Sequence, residues 1–529
     1  MTATLPVGTA GVTTPTVLDP TVALRLAAQV TAGPSASTTE CRSPFDGALV
    51  GRLPVSSEAD VDVAFGSARA AQRAWADRPV AARGRVLLTF HDLLLARRDE
   101  ALDLVQWETG KARRHALEEV LDVAINARYY ARSAARLLAP QRRRGALPLL
   151  TQVTQQRHPL GVVGVIAPWN YPLTLAVSDA IPALMAGNGI VLKPDSQTAF
   201  IALWARELLV EAGLPDSLFQ IVVGDGPTVG PAVVDRADYV CFTGSTATGR
   251  DVARRCADRL VGCSLELGGK NAMIVCADAN LARTVEGALR ACFSNAGQLC
   301  ISIERMYVAD EVYDTFVPAF ADAVGRMRLS AALDYSADMG SLVSQRQLDA
   351  VRRHIDDAVA GGATVLAGGR PRPDLGRYFH EPTLLEGVTP SMAVFEEETF
   401  GPVVSLYRFG SEDDAIRRAN ATEYGLNASV WTRDTRRGRA LAARIRTGTV
   451  NVNEGYGPAW GSVDAPMGGM GDSGLGRRHG AEGLLKYTET QTVAVQRLQG
   501  FGSPRQLSDE QWARVLTFSV GALKKVGWR

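Results

Sequence analysis

The chain has 529 residues, of which 46% are hydrophobic and 21% charged, with a formal net charge of +1. That length exceeds what one core can organise and predicts roughly two to four domains, and the near-zero charge supplies no field for nucleic acid or a membrane surface. Seven scattered cysteines without a C-x-x-C pair, and six histidines with none at metal-ligand spacing, exclude a disulfide framework and a metal site and predict a reducing, cytoplasmic setting.

Residues 1–38 are rich in Thr, Ala, Pro and Gly and are expected to form a mobile extension. The first arginine is Arg25, and Pro6, Pro15 and Pro20 interrupt the apolar residues, which is not the pattern of a secretory signal. Helical periodicity with charged faces runs from Glu58 to Leu138, and Arg142-Arg143-Arg144 reads as a solvated connection.

From Thr151 the texture changes. Apolar β-rich runs at Gly161–Ala167, Gly189–Leu192, Phe219–Val223, Tyr239–Phe242 and Leu260–Leu265 are separated by helix-compatible stretches at 174–186, 198–213, 226–235 and 246–257. A second series places strands near 272–276, 364–367, 403–408, 427–431 and 448–452, with helices near 311–326, 345–360, 411–420 and 434–445. Apolar strands alternating with helices predict parallel sheets covered on both faces. The expected fold is therefore α/β with two doubly wound parallel-sheet lobes. The first lobe, Rossmann-like in its winding, would span 39–145 and 159–270, and the second 271–485.

The uncharged run 159–178 contains Pro168, Asn170 and Pro172, so it reads as strand, turn and helix and not as a membrane span. Short alternating stretches at Thr151–Arg157 and Thr488–Arg497 predict strands that pair outside both lobes. They would form a small oligomerisation flap from 146–158 and 486–497 that joins the chain into a homodimer or homotetramer. In the tail, 498–529, the capped start Ser508-Asp509-Glu510 and the apolar Trp512, Val515, Leu516, Phe518 and Trp528 predict a helix lying on the protein's own surface.

Five places carry residues suited to chemistry. The stretch Phe293-Ser294-Asn295-Ala296-Gly297-Gln298-Leu299-Cys300 leaves a helix-like run at Gly297 and ends on a thiol. Such a thiol is either presented to a substrate or packed as a small hydrophobe, the commoner fate of free cysteines. Leu265-Glu266-Leu267-Gly268-Gly269-Lys270 puts a carboxylate in an apolar setting that raises its pKa and suits a general base; the alternative is a carboxylate bonded to backbone at a turn. Pro168-Trp169-Asn170-Tyr171-Pro172 holds an amide on a stiff turn, able to donate to an oxyanion. Tyr239–Phe242 runs into a turn with Gly244, Ser245 and Gly249, whose backbone N–H groups can meet a phosphate, and Lys193 with Ser196 ends another strand.

With Glu398-Thr399-Phe400-Gly401-Pro402, Asn451-Val452-Asn453 and Pro466-Met467-Gly468-Gly469-Met470-Gly471-Asp472-Ser473-Gly474, these motifs resemble the aldehyde dehydrogenase superfamily over roughly residues 40–497. The resemblance implies that Cys300 attacks an aldehyde, that Asn170 stabilises the oxyanion, and that Glu266 activates water against the thioester. It implies a dinucleotide held by Lys193, Ser196, Gly244, Ser245, Gly249, Trp169, Ile166, Glu398 and Phe400. Ser196 replaces a glutamate frequent in NAD-preferring members, which favours NADP, with NAD as the alternative.

Within the family the similarity is greatest to bacterial NADP-type succinate-semialdehyde dehydrogenases, on Lys193–Thr198 and Asp472–Arg478. Succinate semialdehyde is accordingly the expected substrate. Members that bind it well carry arginines where this chain has Ser178 and Ser294, and a common lysine is replaced by Asp179. The tunnel residues implied by the resemblance are Tyr171, Leu175, Ser178, Phe293, Ser294, Ile301, Asn453 and Trp460, a set compatible also with an uncharged aromatic or aliphatic aldehyde. Ser302 stands where some relatives have a second cysteine, so this chain lacks their redox disulfide. A non-redox cysteine hydrolase would need a histidine base, and no matched motif contains one; a catalytically silent relative would not be expected to keep Cys300, Glu266 and Asn170 together.

Overall fold

Apolar strands too hydrophobic to face water on either side build the first sheet. In the computed structural model, which describes residues 18–145, 151–497, 502–525 and 527, the strand order is Gly474–Leu475, Gly262–Glu266, Tyr239–Thr243, Val162–Ile166, Gly189–Lys193 and Phe219–Ile221. All neighbours run parallel except Gly474–Leu475, which pairs antiparallel with Leu265 and Glu266. Helices Glu58–Ala76, Ala180–Ala186, Gly226–Val234 and Thr246–Asp258 cover its faces, and the long helix Arg113–Leu138 packs on Ala180–Ala186.

The second sheet has the order Thr364–Ala367, Thr383–Glu386, Val403–Phe409, Ile303–Ala309, Asn271–Val275, Asn427–Trp431 and Thr449–Val452, parallel but for its first edge pair. Each lobe has its own buried core, so the expected pair of doubly wound sheets is what forms. Two of these strands lay outside the expected series. Ile303–Ala309 is central and entirely buried, yet its Glu304 and Arg305 conceal it in a hydrophobicity pattern. Both are neutralised by tertiary partners: Glu304 pairs with Lys270 at 2.5 Å, and Arg305 donates to the Lys270 carbonyl. Thr383–Glu386 has four residues, too few to show a period.

Other boundaries are corrected. Of the expected mobile extension 1–38, residues 1–17 lie outside the described residues, whereas Pro20–Ala27 is a helix capped by Asp19, with Leu26 wholly buried. Asp at the N-cap followed by proline at the first helical position is a strong helix start, and the core holds the apolar face. The arginine run is not a simple connection: Gln141–Arg143 forms the third strand of a sheet with Thr151–Pro159 and Thr488–Gln496. Of that expected flap, residues 146–150 lie outside the described residues. The chain also returns from the second lobe before 485, since Gly474–Leu475 joins the first sheet. The helix expected over 174–186 breaks at Ser178–Asp179 into Pro172–Val177 and Ala180–Ala186. The tail forms a helix at Asp509–Lys525, in which no residue is fully buried and Trp512, Leu516 and Leu523 are half-buried. Residues 498–501, 526, 528 and 529 of the tail lie outside the described residues. Among the described residues no helix is long and apolar enough to cross a membrane.

Candidate active site

The turn that carries Cys300 is strained and heavily braced. After helix Leu281–Phe293, Asn295, Ala296 and Gly297 take left-handed conformations, with φ of 52°, 54° and 72°. Non-glycine residues there cost of order 1–3 kcal/mol each and persist only where the surroundings over-determine them. Here the Asn295 side chain donates to the Asn170 carbonyl at 2.9 Å and to the Gln298 carbonyl at 3.0 Å. At Gly297 any Cβ would run into the Gly401 carbonyl. Asn271 Nδ2 then grips the carbonyls of Cys300 at 2.8 Å and Ser302 at 2.7 Å. The backbone of Cys300 is fixed while its sulfur faces a cavity. Burial, followed by the carboxyls of Glu398 and Glu266, pushes its thiol up to about 12, so the resting group is the protonated thiol.

Asn170 follows strand Val162–Ile166 and lines the same cavity. Its Nδ2 donates one hydrogen to the Gln298 carbonyl at 3.2 Å, which leaves the second amide hydrogen for another acceptor. Its own carbonyl accepts from Lys111 Nζ at 2.7 Å. Lys111 pairs with Glu119 at 2.5 Å, both side chains wholly buried, and Glu119 accepts the N–H groups of Leu173 and Thr174. This satisfied ionic knot clamps the turn and would be costly to break at either end.

Glu266 ends strand Gly262–Glu266, is buried, and its Oε1 has no hydrogen-bond partner. Burial raises its carboxyl to about 7, against the downward pull of Arg478 and Lys486. It is therefore not the carboxylate bonded to backbone that the sequence left open; its free oxygen suits proton transfer near neutral pH. A Cβ at Gly468 would approach Glu266 Oε1 to 3.2 Å, so glycine there keeps that oxygen uncrowded.

The cavity at Cys300 is also lined by Tyr171, Thr174, Leu175, Leu299, Ile301 and Trp460, with Glu118, Tyr456, Met467 and Arg478. Tyr171, Leu175, Ile301 and Trp460 thus lie where the sequence placed them. Ser178 does not: its hydroxyl donates to Asp122 at 2.5 Å behind the wall. Asn453 does not either; with φ of 59° it accepts the Thr432 N–H at 3.0 Å and serves the second sheet. Phe293 and Ser294 border a separate, outer cavity, where Phe293 stacks on Phe320. Ser294 touches the tunnel only indirectly, through a 2.8 Å bond with Tyr456 OH. Glu118, Tyr456 and Arg478 were missed. Glu118 looks like one more charge on an amphipathic helix, and only the fold shows its carboxylate accepting from Tyr171 and Tyr456.

The residues expected at a dinucleotide gather at the carboxyl edge of the first sheet. Ile166 pairs with Lys193 and with Phe242 in adjacent strands, and Gly244 N donates to the Glu266 carbonyl at 3.0 Å. Ser245 caps helix Thr246–Asp258, and a Cβ at Gly249 would enter the side chain of Leu267 that this helix packs on. Lys193 and Ser196 border a cavity of about 530 Å³ together with Gly224, Gly226 and Thr228. On the opposite lobe Glu398 accepts the Gly269 N–H at 2.9 Å, and Trp169 meets Phe400 edge to face at 5.5 Å. Glu398 is pushed up to about 8 by burial and then by Glu304.

Fold and site together define a two-lobed α/β oxidoreductase with a presented thiol, an amide donor and a buried carboxyl between its sheets. The chain belongs to the aldehyde dehydrogenase family, whose model matches residues 31–493, and aldehyde oxidation is its reaction. A Mycolicibacterium smegmatis protein named "Putative succinate-semialdehyde dehydrogenase", NADP(+) type, is 54% identical over 485 residues, covering 92% of this chain and 94% of that protein. A crystal structure of an E. coli NADP-dependent enzyme is 34% identical with a TM-score of 0.83, covering 87% of this chain and 95% of that one. The structure of an aldehyde dehydrogenase from Bacillus cereus (G224D mutant) is 33% identical with a TM-score of 0.86, covering 92% and 100%.

Proposed function

We propose that the protein oxidises succinate semialdehyde to succinate with NADP through a thioester on Cys300. The observation that carries the reaction is the convergence of the Cys300 sulfur and the Asn170 amide on one cavity, with the unpartnered Glu266 carboxyl near enough to bias the thiol. Cys300 releases its proton to solvent, and its sulfur bonds to the aldehyde carbon as the carbonyl π electrons move onto oxygen. The spare hydrogen of Asn170 Nδ2 and the Cys300 N–H donate to the oxyanion. A nicotinamide held beside Cys300 would supply the hydride acceptor for thioester formation. Glu266 then takes a proton from water as that water attacks the thioester, and the acid leaves with the thiol restored.

The residues fit a dinucleotide phosphate. Lys193 is buried, and among the described residues its Nζ donates one hydrogen bond, to the Pro194 carbonyl at 3.3 Å, which leaves donors unspent. Ser196 and the N-terminal end of helix Gly226–Val234 share its cavity. In Ser196→Glu the new carboxylate repels a 2′-phosphate, and the NADP-to-NAD ratio of kcat/KM is expected to fall about 100-fold. An unchanged ratio in initial-rate assays rules Ser196 out as the discriminating contact.

The 54% relative supports succinate semialdehyde. The test is NADPH formation with succinate semialdehyde against butanal, which shares its chain length and lacks the carboxylate. The expected preference is about tenfold or more in kcat/KM, the worth of one charged contact. A second reading, an uncharged aldehyde, is favoured by serines at 178 and 294 and by the apolar Leu175, Ile301 and Trp460 of the wall. A preference for butanal selects that reading.

The three-stranded sheet supports association of copies of this chain. Its edge strand Thr488–Gln496 is exposed along its length and displays Val493 and Val495. Lysines at both positions charge an edge that pairs or packs, and are expected to reduce the oligomer to monomer by light scattering. An unchanged mass excludes this strand from the interface. The seven free cysteines support a reducing, cytoplasmic setting.

A further inference from the structure

Among the buried polar atoms near the nucleophile that have no hydrogen-bond partner are Glu266 Oε1, Arg478 Nη2 and Asp179 Oδ2. They belong to one cluster. A Cβ at Gly468 would lie 3.2 Å from Glu266 Oε1, and the residue before it, Met467, bridges the backbone of Arg478. Arg478 then lines the cavity beside Cys300 and Asn170. Its guanidinium lies 3.1 Å from Asp179, which Lys486 approaches to 3.8 Å, with all three side chains at most 10% exposed. The Arg478–Asp179 contact is ionic without an aligned hydrogen bond, so its donors are not consumed by it. The reaction derived above uses Glu266 and leaves this ion pair without a role.

We propose that Arg478 and Asp179 are positioning residues for Glu266, the arginine holding its carboxylate ionised for water activation and the aspartate tempering that pull. The proposal rests on Glu266 being the base of thioester hydrolysis. A buried carboxylate without a hydrogen bond is unstable as an anion, and a neighbouring guanidinium is the remedy that needs no proton of its own. The charges that act on Glu266 are Arg478, Lys486 and Arg477 on the positive side and Asp179 on the negative, and its own charge reaches the Cys300 thiol. Around Arg478 stand Asp179, Asp122 from the long helix and Cys241 from the neighbouring strand. His479, buried and held neutral, adds no charge. Burial is the largest influence on Glu266, and Arg478 is the largest opposing it.

The two members act with opposite sign, and that makes the proposal testable without NADP or a chosen aldehyde. Purified enzyme is acetylated on Cys300 with p-nitrophenyl acetate, and loss of the acetyl group is followed by intact mass across pH. In Arg478→Gln the midpoint of the acid limb moves up. For a one-unit shift deacylation slows about fivefold at pH 7, approaching about tenfold further down the acid limb, and recovers at higher pH. Arg478→Lys keeps the charge and restores most of the wild-type profile. In Asp179→Asn the arginine is released toward Glu266 and the midpoint moves down. Damage to the fold lowers the plateau of both variants and cannot drive their midpoints apart. Midpoints that stay put, or move in the same direction, overturn the proposal; absence of an acyl-enzyme overturns instead the reading of Cys300 on which it rests.

Discussion

Cys300→Ala is expected to abolish aldehyde oxidation, lowering kcat/KM by about 10⁴-fold or more, as removal of a nucleophile from a covalent mechanism does. The reason lies in how the turn is built. The contacts that fix residue 300 are made by its backbone: Asn271 Nδ2 binds the carbonyl, while Asn295, Gln298 and Gly297 shape the approach. The sulfur is not needed for that bracing, so the alanine variant keeps the fold, the cofactor cavity and the Asn170 donor. Cofactor affinity measured by fluorescence titration is therefore expected to stay near wild type while turnover disappears. Retention of aldehyde oxidation by this variant contradicts the covalent mechanism outright.

Glu266→Gln separates the two halves of the reaction. Glutamine keeps the shape and loses the base, so steady-state turnover is expected to drop by about 10³-fold while one equivalent of NADPH still forms rapidly. The pH dependence has a definite sign. Burial holds the Glu266 carboxyl at about 7, above its ordinary value, so the base form grows as pH rises through that value and is lost below it. Thioester hydrolysis in the wild type rises across that window and levels off above it. In the glutamine variant the same limb is flat. Stopped-flow absorbance for the burst and initial rates for the steady state, both across pH, check the two statements. A burst that vanishes along with turnover places Glu266 before the thioester and not after it.

Much of this site was legible in the sequence because its chemistry is carried by local motifs. Cys300 and Asn170 sit on turns marked by glycine, proline or amides, Glu266 ends a strand just before a glycine pair, and the alternating strands announced both lobes. What the sequence concealed is of a different kind. Strand Ile303–Ala309 is buried at the centre of its sheet but contains Glu304 and Arg305, which only tertiary partners neutralise. Glu118 reads as a solvated helix charge until Tyr171 and Tyr456 are seen to close on it. Arg478 lies within a recognised block, yet its meaning depends on Asp179, three hundred residues away in sequence and 3.1 Å away in space. The assignment of Ser178 and Asn453 to the tunnel failed for the converse reason. Position in a motif does not say which way a side chain turns, and Asp122 and Thr432 claim these two. Long-range pairing of polar groups is where local pattern carries least information.

The central claim is that an acyl group passes through Cys300. Its most direct test is intact-mass and peptide analysis of Glu266→Gln, quenched after mixing with succinate semialdehyde and NADP. The account predicts one acyl group per chain, located on Cys300, formed together with one equivalent of NADPH and absent from Cys300→Ala. NADPH formation with no acyl group on Cys300 would contradict it.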